Sequence, residues 1–316
     1  MQVTNSAGTS DGLTPTTDGR LLNAATSMGA VTLRVGDLEG MSGYYSQAFA
    51  MEPLEETTRE GRVNRVLGRG ATPLVRLIHT ADLPAVDRRG AGLFHTAFLF
   101  DTPASLAATV YRAVQDARGQ FVGSSDHLVS EAFYFTDPEG NGVELYTDRP
   151  REQWIHDGHE IRMTTEYLDP NAYLQRHLVQ EALDSGATLA GRVGHVHLQV
   201  GDVQVARKFY VDALGFEITQ TGYRGAIFAS AGGYHHHVAM NIWNSAGAGP
   251  RAARLGLGDV SVTVPTTTDL DALATRLKAA SLPVRADGRS VITVDPWGTQ
   301  VTVSLPDLAV DEVLAW

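Results

Sequence analysis

Hydrophobic and polar positions switch between two periods along this chain. From Val193 to Val200 the period is two and β-branched residues are frequent, which predicts a strand. Asp202 then offers a helix N-cap, and Val205, Phe209 and Leu214 recur at helical spacing until Gly215 ends the run. Phe216–Thr221, Ala226–Ser230 and His236–Ile242 return to the strand pattern, with glycine-rich turns between them. The same order of strand, helix and further strands occurs upstream. Phe94–Phe100 predicts a strand and Pro103–Arg118 a helix, followed by strands near Glu131–Thr136 and Gly142–Tyr146. A last unit runs from about Gly258 to Leu305.

An internal repeat organises these units. Val31–Asp37 (VTLRVGD) and Val196–Asp202 (VHLQVGD) are followed at the same distance by Tyr45 and Tyr210. Asp137-Pro138-Glu139-Gly140 matches Asp295-Pro296-Trp297-Gly298. The chain is therefore two duplicated halves of two units each, an α+β arrangement of four βαβββ modules. The pattern divides it into a loosely ordered tail over 1–26, a first two-module domain over 27–148, a partly helical connector over 149–192 and a second two-module domain over 193–316.

Composition narrows the functional classes. The chain has 316 residues, 43% of them hydrophobic and 19% charged, ordinary values for a chain that buries a core. The 25 Lys and Arg against 36 Asp and Glu leave a net charge of −11, which disfavours nucleic acid and anionic membranes as partners. The absence of cysteine excludes disulfides, Cys-zinc sites, iron–sulfur clusters and thiol catalysis. No apolar run reaches the ~20 residues of a membrane span, and the start of the chain lacks the features of a secretory signal, so a cytoplasmic protein is expected. No P-loop, dinucleotide fingerprint, nucleophile elbow or HExxH motif is present.

Several polar residues sit at unusual places in this pattern. His95 interrupts an apolar strand, as a ligand or as a hydrogen-bonded core residue. Glu144 alternates against Val143 and Leu145, so it faces either a concave sheet surface, where it needs a partner or a cation, or solvent. His195 and His197 share one strand face, or else one is buried and the other exposed. In His235-His236-His237 the alternation puts His236 on one face and its neighbours on the other. Tyr134 is either a functional hydroxyl or an ordinary strand aromatic. His156 and His159, in the connector, either line an entrance or sit in a solvated loop.

The segments LFHTAFLF (93–100), DHLVSEAFYFTDPEGNGVEL (126–145), GHVHLQVGD (194–202) and YHHHVAMN (234–241), in this order, resemble the vicinal oxygen chelate superfamily. Within it the chain is most similar to the type I extradiol ring-cleavage dioxygenases of the catechol 2,3-dioxygenase kind. The resemblance implies modules paired into two cup-shaped eight-stranded sheets with helices outside. It implies a mononuclear non-haem Fe(II) site held by His95, Glu144 and His195, with Mn(II) or another divalent metal also compatible. It implies His236 as acid/base, Tyr134 and His127 as stabilisers of developing oxyanions, and His197 beside the substrate. The reaction implied is opening of a catechol-type diol with O2, in a homo-oligomer. A metal-dependent glyoxalase or isomerase, and a non-catalytic bleomycin-resistance-like binding protein, are the alternatives on the same fold.

One departure bears on architecture. The slots equivalent to His195, His95 and Glu144 in units one and four hold Ala30, Asp259 and Thr302, so the ligand set comes from units two and three. This predicts that unit two pairs with unit three and unit one with unit four, rather than neighbour with neighbour.

Overall fold

The computed structural model describes residues 19–186 and 190–306. Each unit begins with a strand that pairs in parallel with the last strand of the same unit. In unit one Val31–Val35 pairs with Thr72–His79, in unit two Gly92–Phe100 with Gly142–Asp148. In unit three Gly191–Gln199 pairs with Val238–Asn241, in unit four Gly256–Thr263 with Gln300–Ser304. A parallel pair needs a crossover, and the helix with two intervening strands supplies it.

The first strands then join units together. Gly92–Phe100 pairs antiparallel with Gly191–Gln199, and Val31–Val35 with Gly256–Thr263. Unit two is thus fused to unit three and unit one to unit four, the pairing that the ligand slots required. The halves 27–148 and 193–316 are not the bodies that form sheets, because each half contributes one unit to each. Among the described residues both sheets have nine strands, not eight. The extra strands are two-residue additions, Ser27–Met28 on one sheet and Glu166–Tyr167 from the connector on the other.

The helices start where side chains satisfy their free N–H groups. Asp37 accepts from Gly40 N at 2.9 Å ahead of Leu38–Phe49, and Asp202 accepts from Gln204 N and Val205 N. Thr266 and Asp269 form a reciprocal capping box ahead of Thr267–Ala279. The helical run of unit three is α-helical over Val203–Arg207 and widens into a π-type turn over Lys208–Ala213. The connector carries two helices, Pro170–His177 and Gln180–Ser185.

The repeated tyrosines and DPxG turns are partners. Tyr45 of unit one donates to Asp137 of unit two at 3.1 Å, and Tyr210 of unit three donates to Asp295 of unit four at 3.0 Å. The other oxygen of each aspartate accepts from two backbone N–H groups of its own turn. These bonds tie one sheet to the other, so the relation between neighbouring units survives as a buried contact between sheets. Phe49 packs edge-on toward Phe135 and against Phe98, and one apolar core runs through both sheets.

Part of the expected tail is built into the fold. Leu22 is buried and donates its N–H to Gly215 O, and Asn23 bonds Asp269. An apolar side chain with a core site to fill overrides the polar composition around it. Residues 1–18 of that tail lie outside the described residues. No helix among the described residues is long and apolar enough to cross a membrane.

The concave face of the unit one and four sheet is filled rather than open. Asp259, 3% exposed, accepts from Thr302 Oγ1 at 2.8 Å, so two of the three degenerate slots bond each other. Burial pushes the Asp259 carboxyl up to about 7, against the pull of its hydroxyl and amide partners and of Arg76 and Arg34. A raised folded-state value means stability that is present below the unfolded value and lost as pH rises through about 7. We predict that Asp259→Asn flattens the fall in thermal stability between pH 4 and pH 7, by no more than about 4 kcal/mol. Melting curves at both pH values check this; parallel profiles for variant and wild type would refute it.

Candidate metal centre

The site grows from the seam between units two and three. Across the sheet, Tyr134 is opposite Glu144, Glu144 is beside Ala97, and Ala97 is opposite His195. In the next rung His95 is opposite His197, which is beside Ala239, itself opposite Phe228. Side chains at alternate strand positions share a face, so both rungs project onto the same concave surface. Ala97 and Ala239 keep its centre low, and the larger residues stand around them.

Two glycines allow the close approaches. A Cβ on Gly142 would lie 2.0 Å from Phe94 O, at the crossing next to His95. A Cβ on Gly194 would lie 1.7 Å from the Tyr146 hydroxyl; the strand bulges there, and His195 follows immediately.

His95 Nε2 lies 2.9 Å and His195 Nε2 3.1 Å from the same oxygen, Oε2 of Glu144. The ligand atoms of the three residues all fall within 4.8 Å of one another, and all three are buried. His95 Nε2 is off the line of a hydrogen bond despite its short distance, and is a buried nitrogen without a hydrogen-bond partner among the described residues. Three donors held at right angles around an ion at about 2.1 Å would stand about 3 Å apart, so the set fits a divalent metal.

The electrostatics agree. Burial drives the His195 imidazole down to about 4, more strongly than Glu144 pulls it up, so the ring is neutral at pH 7. Burial also works against an ionised Glu144, but the adjoining His195 and His95 imidazoles hold its carboxyl well below the usual range. A buried carboxylate facing a neutral ring calls for a cation.

The remaining predicted residues gather around this triad. A cavity of about 450 Å³ is lined by His95, Glu144, His127, Tyr134, His197 and His236, with Phe94, Trp243, Phe228 and Tyr223 among its apolar walls. His195 is not on that wall; only its Nε2 reaches the carboxylate. Tyr134 is hydrogen-bonded between Glu144 and His127, whose Nε2 is 2.7 Å from the hydroxyl. Burial, reinforced by Glu144, pushes the Tyr134 phenol well above 10, so it keeps its proton. His127 Nδ1 donates to Thr164 O at 2.5 Å, which turns the ring toward Tyr134. His197 packs edge-on between His95 and Trp243.

One expectation needs correction. His236 was placed on a strand, with His235 and His237 facing away; the strand begins only at Val238. Without alternation, His235 and His236 both approach His195, with ring centroids at 5.9 and 3.9 Å. His156 and His159 sit exposed on a small hairpin, in keeping with the solvated alternative, and do not line this cavity. The connector contributes different residues. Its Trp154, Ile161 and Met163 are buried on the concave face and close the cup.

The sequence reading missed His235, Tyr146 and Asp148. A signal existed, since Glu144, Tyr146 and Asp148 alternate along one strand and share its face. His235 Nε2 bonds Asp148 Oδ1 at 2.9 Å, and His235 Nδ1 meets His236 Nδ1 at 2.7 Å. His195, His235 and His236 also cluster within 4.8 Å, but both nitrogens of His235 and one of His236 are used in these bonds.

The chain resembles known proteins over most of its length. The model of the Glyoxalase/Bleomycin resistance protein/Dioxygenase superfamily matches residues 27–145 and 192–301. A catechol-2,3-dioxygenase of Bacillus subtilis is 35% identical over 279 residues, covering 86% of this chain and 94% of that protein. Among solved structures, glyoxalase I from Zea mays superposes with a TM-score of 0.56 at 18% identity, covering 89% of this chain and 92% of its own. A Bacillus subtilis protein provisionally assigned as a dioxygenase superposes with a TM-score of 0.62 at 10% identity, covering 92% and 88%. At these identities the two structures speak for the fold alone.

Glu144→Gln keeps the side-chain volume and removes the charge. We predict that the variant folds but loses bound divalent metal, from about one ion per chain to near zero, because the carboxylate oxygen is shared by both imidazoles. Elemental analysis after metal loading and desalting checks this; undiminished metal would remove Glu144 from the ligand set.

Proposed function

Because the chain belongs to the glyoxalase/bleomycin resistance protein/dioxygenase superfamily, we propose that it is an extradiol dioxygenase that opens a catechol-type diol with O2 at a mononuclear Fe(II) site. The observation that carries this reading is the convergence of His95 Nε2 and His195 Nε2 on one oxygen of Glu144, beside a cavity that His236, Tyr134 and His127 also line. Two imidazoles and one carboxylate leave adjacent coordination positions free, which suits non-haem Fe(II). When bound, that ion supplies chelation of the diol and electron exchange between the ring and O2.

The chain's own residues set the rest. His236 lines the cavity and lies tilted against His195 at 3.9 Å between ring centroids, so a diol hydroxyl beside the triad has a base within reach. Burial drives the His236 imidazole well below 6.5, which keeps it neutral and able to accept a proton. Tyr134 retains its proton, and its O–H, turned from His127 Nε2, is a donor for oxygen charge that develops next to Glu144. Phe94, Trp243 and Phe228 form apolar walls that fit an aromatic ring and exclude water around it.

O2 consumption by the Fe(II)-loaded protein, with catechol as probe, tests the reading. Uptake matched by ring-opened product is expected. Metal-dependent turnover of a hemithioacetal without O2 uptake would favour the glyoxalase alternative instead. His236→Phe should retain iron and bind catechol but turn over about 10²-fold more slowly, the loss typical of a removed general acid–base.

A further inference from the structure

We propose that Asp148 and His235 are positioning residues that fix the tautomer of His236, presenting a bare Nε2 lone pair to the diol cavity. The inference rests on His236 being the base of the proposed reaction, and it assigns work to two residues that the reaction itself does not touch.

The argument follows the protons. Asp148 Oδ1 can only accept, and His235 Nε2 lies 2.9 Å from it, so that nitrogen carries the proton of His235. In a neutral imidazole the other nitrogen is then an acceptor. His235 Nδ1 is 2.7 Å from His236 Nδ1, so His236 Nδ1 must be the donor. His236 Nε2 is left unprotonated. It has no hydrogen-bond partner among the described residues, and His236 lines the cavity. One carboxylate at the edge of the cup thus determines the proton position two rings away.

The surroundings hold the chain in line. Asp148 Oδ1 also accepts from the Tyr234 hydroxyl at 3.3 Å, and Tyr234 meets the Tyr146 hydroxyl at 2.7 Å. Trp154 and Tyr234 pack on the His235 ring at centroid distances of 5.4 and 4.1 Å. Phe228 stands edge-on to His236 at 5.0 Å, and His195 lies against the same ring at 3.9 Å. The His236 ring has two neighbours against rotation, and its proton has one acceptor.

The opposite tautomer would put N–H toward the diol. It would also set two bare Nδ1 lone pairs against each other at 2.7 Å. A base supplied in the wrong tautomer cannot take the proton, and the orienting carboxylate of a catalytic triad shows how large that effect can be.

Two measurements test this. The first is the ¹⁵N imidazole spectrum of the metal-free protein, which reports tautomers without any turnover. Wild type should show His236 as the Nδ1–H form. Asp148→Ala should abolish that preference, and Tyr234→Phe should leave it intact. The second is kinetics of the Fe(II)-loaded protein with catechol. Asp148→Ala should lower kcat about 10-fold to 10²-fold with iron content and KM unchanged, and Asp148→Glu should recover part of the loss. Should Asp148→Ala not fold, His235→Phe removes the acceptor of the His236 Nδ1–H itself and should give the same two results. Wild-type His236 in the Nε2–H form would overturn the proposal, as would an Asp148→Ala enzyme with unaltered kcat. Absence of catechol turnover in wild type would instead count against the diol reading, and the spectrum would still decide the tautomer.

Discussion

The antiparallel pairing of Gly92–Phe100 with Gly191–Gln199 is the constraint on which the site depends. That seam sets His95 opposite His197 and Ala97 opposite His195, and the parallel strand beyond it brings Glu144 level with Ala97. Strand side chains alternate strictly, so a slip of one residue would send the whole donor set to the other face. The register is pinned by the apolar residues of the reverse face. Phe98, Val196 and Leu198 are buried in the core beneath the helices, and exposing them would be far costlier than rearranging a few polar groups.

The two sheets divide the work of the duplicated sequence. In the unit two and three sheet the concave face keeps small residues at its centre, so a cavity remains. In the unit one and four sheet the corresponding face is occupied by mutually bonded polar side chains such as Asp259 and Thr302. The buried Tyr45–Asp137 and Tyr210–Asp295 bonds couple the sheets.

Charge and protons in the site are controlled by burial. Desolvation keeps His195, His197 and His236 neutral, and a neutral ring is what both a metal ligand and a base require. Against these rings Glu144 remains ionised, and Tyr134 remains protonated beside it. Hydrogen bonds then set the orientation and tautomer of the neighbouring rings. Thr164 O orients His127, and Asp148 orients the His235–His236 pair.

The sequence alone determined the four-unit repeat, the α+β class and the residues of the triad. Repeated motifs and period-two alternation are local properties, and the misplaced His95 and Glu144 were visible against them. It favoured the pairing of units two and three, the one that unites His95 and His195 with Glu144, and the strand ladder of the folded chain decided it. It did not determine where the His235–His237 run leaves the strand, because alternation holds only while the ladder continues and a turn residue takes its direction from packing. Nor did it reveal that the connector closes the cup with Trp154, Ile161 and Met163, or that Asp148 reaches His235. Those contacts join residues far apart in sequence and depend on distances that only the folded chain sets.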